Sequence, residues 1–87
     1  MSTLAVELHP QAVNVEFTSV AIVVELADGR TLSAPLIWFP LLSSASAEQL
    51  ANWQLLGDGE GIHWPDLDED LSVAGLLAGT HRTSLAQ

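Results

Sequence analysis

VAIVVELADGRTLSAPL, residues 20–36, places an Asp-Gly pair between two runs of aliphatic and β-branched residues, the pattern of a β-hairpin. Loop length decides the fold here, because strand side chains alternate with a period of two and a slip of one residue moves each to the other face. A two-residue loop of Asp28 and Gly29 sets Val24 opposite Ser33 and Leu26 opposite Thr31, so apolar side chains meet polar ones. A three-residue loop of Ala27, Asp28 and Gly29 pairs Val24 with Leu32, Ile22 with Ala34 and Val20 with Leu36. That register gathers the apolar residues on one face and gives Gly29 the left-handed position of a bulged turn, so it is preferred. Pro35 then falls on the opposite face without an N–H to donate, so this strand lies at a sheet edge or ends there.

Working outward, residues 13–17 (VNVEF) alternate as a half-buried strand, with Val13, Val15 and Phe17 on one face and Asn14 and Glu16 on the other. Residues 4–8 (LAVEL) make an edge strand or a loose arm that ends at His9 and Pro10. After the hairpin, residues 37–42 (IWFPLL) form a Pro-broken connection. Ser46 and Gln49 have the spacing of a capping box, which predicts a short helix over 47–52 that carries Leu50 and Trp53 inward. Residues 53–64 flank a glycine-rich turn and predict a second hairpin. In residues 71–79, Val73, Leu76 and Leu77 recur at helical intervals between a candidate N-cap, Ser72, and a stop, Gly79. The expected fold is α+β: a small antiparallel sheet, a meander with a β-hairpin, followed by short helices. Residues 13–79 form the single domain, 1–12 an N-terminal arm or edge strand, and 80–87 a flexible tail.

Composition narrows the function. In 87 residues, 48% are hydrophobic and only 15% charged, an apolar content that implies a dense core or apolar surface kept for a partner. Two arginines, Arg30 and Arg82, stand against eleven acids with no lysine, for a net charge of -9. This argues against nucleic-acid binding by the chain, which needs cations to neutralise phosphates, and favours a basic protein as partner. With no cysteine there is no disulfide, thiolate nucleophile or Cys-based zinc site. The N-terminus carries no positive residue ahead of an apolar run, and no apolar stretch approaches a membrane span, so the chain reads as complete, soluble and cytoplasmic.

The densest charge lies in IHWPDLDED, residues 62–70. Asp66, Asp68 and Asp70 occupy positions 1, 3 and 5 of a calcium loop, but Leu71 stands where a glycine is needed and Leu77 where the bidentate glutamate belongs. A start at Asp58 fails too, with Ile62 and His63 at the fifth and sixth positions. The spacing from Asp66 to Glu69 after Pro65 fits the start of a helix, where carboxylates complement the dipole. GDGEG, residues 57–61, lacks the third glycine of a phosphate loop and carries two repelling acids, so it reads as a tight turn. His9, His63 and His81 share no metal-ligand spacing. Serines 43, 44 and 46 form no nucleophile elbow. No catalytic, cofactor-binding or metal-ligating residue is assigned, and no cofactor is expected. The candidate contact surface combines aromatic anchors with acids: Trp38, Phe39, Trp64, Asp66, Asp68, Glu69 and Asp70.

In the motifs DGR, PL-x-WFP, NW-x-L-x-G and IHWPDLDEDLSV-x-GLL, in this order over residues 13–79, the chain resembles the small bacterial family known as domain of unknown function 2442. The resemblance implies a small antiparallel sheet followed by short helices. It also implies relatives that carry a helix-turn-helix domain, and others encoded beside a small toxin-like protein, hence an antitoxin or regulatory role. The chain departs from the family at Leu41 and Leu50, where the resemblance implies arginine in many relatives, so its surface is more acidic and apolar. The expectation is a non-enzymatic protein-interaction module. The alternatives are a homo-oligomeric structural or regulatory domain, and a carboxylate-based metal-binding or enzymatic domain using His63 and residues 66–70.

Overall fold

The Asp-Gly hairpin takes the three-residue register. In the computed structural model, which describes residues 10–79, β2 (Ala21–Leu26) pairs antiparallel with β3 (Thr31–Pro35), Val24 opposite Leu32 and Ile22 opposite Ala34. The Leu26 N–H donates to the Arg30 carbonyl at 2.9 Å and closes the loop, in which Gly29 has a φ of 97° that a side chain would resist. Pro35 is the last residue of an edge strand, where its missing N–H costs no ladder bond. The expected third pair survives only as backbone, since the Leu36 N–H donates to the Val20 carbonyl at 2.9 Å while the Val20 side chain is 70% exposed.

β1 (Ala12–Phe17) adds to the other side of β2 and completes a three-stranded meander in the order β1-β2-β3. The expected alternation fails at Val13. The pairing slips between Ala12 and Asn14, Val13 points to solvent, and Ala12 takes its place in the core. The cause is a close approach to the second hairpin: the Ala12 N–H donates to the Gly59 carbonyl at 2.7 Å. A Cβ on Gly59 would overlap the Ala12 carbonyl oxygen and lie 3.0 Å from its nitrogen, so only glycine allows the contact. The 4–8 strand or arm and the 80–87 tail lie outside the described residues.

Past β3 the chain winds through a 3-10 turn (Leu36–Trp38) into α1 (Pro40–Ser43), with proline at the first helical position. Leu36, Phe39 and Leu42 recur every third residue and are buried, which turns Ile37, Trp38 and Leu41 outward. α2 (Ala47–Ala51) opens on the expected capping box: the Gln49 N–H donates to Ser46 Oγ at 3.1 Å and the Ser46 N–H to Gln49 Oε1 at 3.0 Å. It ends one residue short of expectation and buries no side chain completely; Leu50 and Trp53 pack half-buried against the core.

The second sheet is a meander of β4 (Gln54–Leu56), β5 (Gly61–Trp64) and β6 (Glu69–Ser72). Its third strand corrects the helix start expected at Asp66. Residues 65–68 instead make a four-residue turn in which Asp68 has a φ of 53°, and the chain returns along β5 with Trp64 opposite Glu69 and Ile62 opposite Leu71. The helix begins only at α3 (Val73–Ala78), capped by Ser72 Oγ at 3.0 Å from the Gly75 nitrogen and stopped by Gly79 in the left-handed conformation. α3 packs on β3 and β6.

Both sheets contribute to one core. Ile22, Val24 and Ala34 come from the first, Ile62, Trp64 and Leu71 from the second, and Phe17 meets Trp64 edge-on at 6.2 Å between ring centroids. Trp64 Nε1 donates to the Leu50 carbonyl at 3.1 Å, which satisfies the buried indole and ties β5 to α2.

Candidate interaction surface

The hairpin of β5 and β6 divides the acidic stretch between two faces. Residues opposite each other in an antiparallel pair share a face, so His63 and Asp70 stand on the outer side and Trp64 and Glu69 on the inner. On the outer side His63 Nδ1 contacts Asp70 Oδ1, with side chains 27% and 64% exposed. An imidazole oriented by a carboxylate is the beginning of an acid–base pair. On the same face of β6, Ser72 Oγ accepts the Gly75 N–H as the cap of α3. Asp66 Oδ2 accepts from Asn52 Nδ2 at 3.3 Å, bracing the turn against the end of α2, and Asp68 forms its left-handed corner. Among the described residues no three His, Asp or Glu side chains converge as metal ligands.

Glu69 leaves the proposed contact surface. It is 8% exposed beside Trp64, and among the described residues no hydrogen bond reaches its carboxylate. Burial, and after it the charges of Asp70 and Asp68, hold its carboxyl above the usual range. Phe39 and Trp64 also lie wholly inside, so neither can touch a partner. Of the seven expected contact residues, Trp38, Asp66, Asp68 and Asp70 remain exposed. The aromatic residue follows the first sheet and the acids belong to the second.

The sequence reading missed an apolar end of the first sheet. Val20 in the β1–β2 turn is 70% exposed and Ile37 76%, with Leu41 and Trp38 about half open beside them in the chain. Pairing of Ala21 with Pro35 brings the turn and the 36–41 segment to the same end of the sheet. The signal was available in the spacing of Leu36, Phe39 and Leu42, whose burial obliges the residues between them to face out. Arg30 lies in the turn at the opposite end and is held by Asp28 at 2.8 Å. The Arg30 backbone N–H and guanidinium together keep the Asp28 carboxyl below its ordinary value.

A slot of 570 Å³ opens beside this apolar end, between β1 and α2. Val15, Phe17 and Thr18 line one side, and Ala47, Leu50 and Ala51, one face of α2, line the other. Glu16 and Trp53 complete it. No described helix is long and apolar enough to cross a membrane.

Comparison with known proteins is in accord with the motifs. The family model described as "Protein of unknown function (DUF2442)" matches residues 12–82. No curated protein matches. A crystal structure of a protein of unknown function from Rhodospirillum rubrum is similar with a TM-score of 0.72 and 38% identity, over 83% of this chain and 89% of that one. The solution structure of an uncharacterized protein from Chromobacterium violaceum is similar with a TM-score of 0.70 and 30% identity, over 82% of this chain and 67% of the other. This chain, through the match that takes in every described strand and helix, belongs to the DUF2442 family of proteins of unknown function.

Proposed function

We propose that this chain is a non-enzymatic protein-interaction module that docks a small basic protein, as an antitoxin or other regulatory partner does. The observation that carries the reading is the apolar end of the first sheet, where Val20 and Ile37 are 70% and 76% exposed on a molecule of net charge -9. Exposed apolar side chains gathered at one end of a sheet are the composition of an interface, and the net negative charge of the chain accelerates encounter with a cationic surface. Among the described residues the arginine sits at the far end of that sheet and does not oppose such a partner. Desolvation of one or two large side chains supplies most of the affinity in such interfaces. Co-expression with the products of neighbouring genes tests the reading: a complex should form, weaken as salt rises, and be lost in Ile37→Glu. Absence of any complex, with none of those products toxic when expressed alone, overturns it.

A homo-oligomer is the second reading, favoured by β4. All three residues of this edge strand are exposed, among them Leu55 at 37% and Leu56 at 41%, so its open edge suits pairing with a copy of itself. A sedimentation coefficient that does not change with concentration and stays at the monomer value would dismiss it.

A further inference from the structure

We infer that the slot between β1 and α2 receives an extended segment of the partner as a fourth strand of the first sheet, and that the segment alternates apolar residues with lysine or arginine. This rests on the reading that the partner is a basic protein. The shape is the first argument. Three consecutive residues of β1, Val15 to Phe17, and Thr18 just after it line the slot, so it runs along the edge of the strand and not over one of its faces. On the far side Ala47, Leu50 and Ala51 present a single helical face whose two alanines leave width for a chain.

Backbone polarity is the second. The Thr18 N–H donates to the Ala21 carbonyl at 2.9 Å and closes the β1–β2 turn. In an antiparallel ladder the bonded pairs alternate, so Glu16 and Asn14 bond across to β2, while the N–H and C=O groups of Val15 and Phe17 point to the free edge. Among the described residues no hydrogen bond from another element engages those groups. The slot thus offers the template that strand addition requires, main-chain groups for affinity and side-chain positions on alternate faces for specificity.

Charge selects the occupant. An added strand continues the rows of the sheet. Side chains in the row of Val15 and Phe17 enter beneath Leu50 and Trp53, where only apolar groups are matched. Side chains in the row of Glu16 emerge on the outer face, where Asn14 Nδ2 donates to Glu16 Oε2 at 3.3 Å and Glu25 Oε2 at 3.4 Å. Two carboxylates held close together there favour a cation directly across the strands. The chain's own LAVEL run, residues 4–8, carries Glu7 and no cation, so it lacks the required pattern, as does a second copy of this chain, whose two cations, Arg30 and Arg82, stand apart and alternate with no other.

The test titrates the ¹⁵N-labelled full chain with a seven-residue peptide alternating lysine and valine, and with its glutamate–valine counterpart. Saturable shifts are expected at residues 15–18 and 47–53, with the Val15 and Phe17 amides exchanging at least 10-fold more slowly in the complex. Ala47→Trp, an exposed position that leaves the core intact, should abolish these shifts, and Glu16→Lys should weaken binding about 10-fold. An equal response to the glutamate peptide, shifts confined to other residues, or Val15 and Phe17 amides already protected without peptide would overturn the inference. A basic partner that binds Ala47→Trp and Glu16→Lys as tightly as the parent chain overturns the slot and leaves the proposed function standing. Peptide binding in the slot with no cellular basic partner does the reverse.

Discussion

The two sheets are three-stranded meanders of the same connectivity, yet they turn their corners and fill their inner faces differently. In the first, the β2–β3 corner uses Gly29 at a φ of 97° and every inner position is apolar. In the second, the β5–β6 corner uses Asp68 at a φ of 53° and the inner face carries Glu69 beside Trp64. A glycine corner costs nothing sterically, whereas an aspartate in the left-handed region is held there by its surroundings. The first sheet is therefore locally self-consistent. The second is held together by what packs on it, through the Trp64 indole on the Leu50 carbonyl, Asp66 on Asn52 and Glu60 on the start of α3.

The contrast can be broken most strongly at Trp64. Trp64→Ala removes a fully buried side chain and the Leu50 hydrogen bond, and should cost about 3–5 kcal/mol in urea denaturation. If the second sheet needs the first, the loss should appear as a single transition and not as melting of β4, β5 and β6 alone. Gly59→Ala attacks the junction between the sheets and should cost about 2–3 kcal/mol, since its φ of 96° and the overlap with Ala12 both oppose a Cβ. An NMR spectrum of this variant should show Ala12 displaced from Leu26.

The corners themselves sharpen the comparison at a smaller scale. Gly29→Ala should destabilise by about 1 kcal/mol through backbone strain alone, because nothing lies within 4 Å of the added methyl. Asp68→Gly should do the opposite, raising stability by up to about 1 kcal/mol as the left-handed corner is relieved. If both substitutions destabilise equally, the Asp68 side chain holds more than its own turn.

The smallest effect is the pH dependence of Glu69. Its carboxyl is easier to protonate folded than unfolded, so the stability it contributes is present at low pH and is lost as pH rises through its raised value. Glu69→Gln should flatten this slope, raising the Tm at pH 7 while leaving it unchanged well below the ordinary value of 4.5. Asp28 acts with the opposite sign, its carboxyl lowered by Arg30, so its contribution is present at neutral pH and fades as pH falls below 3.8. A Glu69→Gln profile parallel to the parent at all pH values would mean that the carboxylate finds solvent.

What was legible in the chain was whatever a few neighbouring residues decide. The Gly29 corner and the period of two determined the hairpin register, Ser46 and Gln49 the capping box, Ser72 and Gly79 the ends of the last helix. Residues 66–69 were misread because an acid followed three positions on by glutamate suits a helix start as well as a tight turn, and only pairing of residues 69–72 with β5 separates the two. Five aromatics and eleven acids were countable, but not which way they face. Burial of Phe39 and Trp64 with exposure of Trp38, the slip at Val13 and the carboxylate inside the second sheet all arise from contacts between segments distant in the chain. Local hydrogen bonding and sterics act over a few residues and are written in order along the sequence. Whether a side chain meets water depends on which remote strand arrives above it, and that was settled only when the two sheets closed on one core.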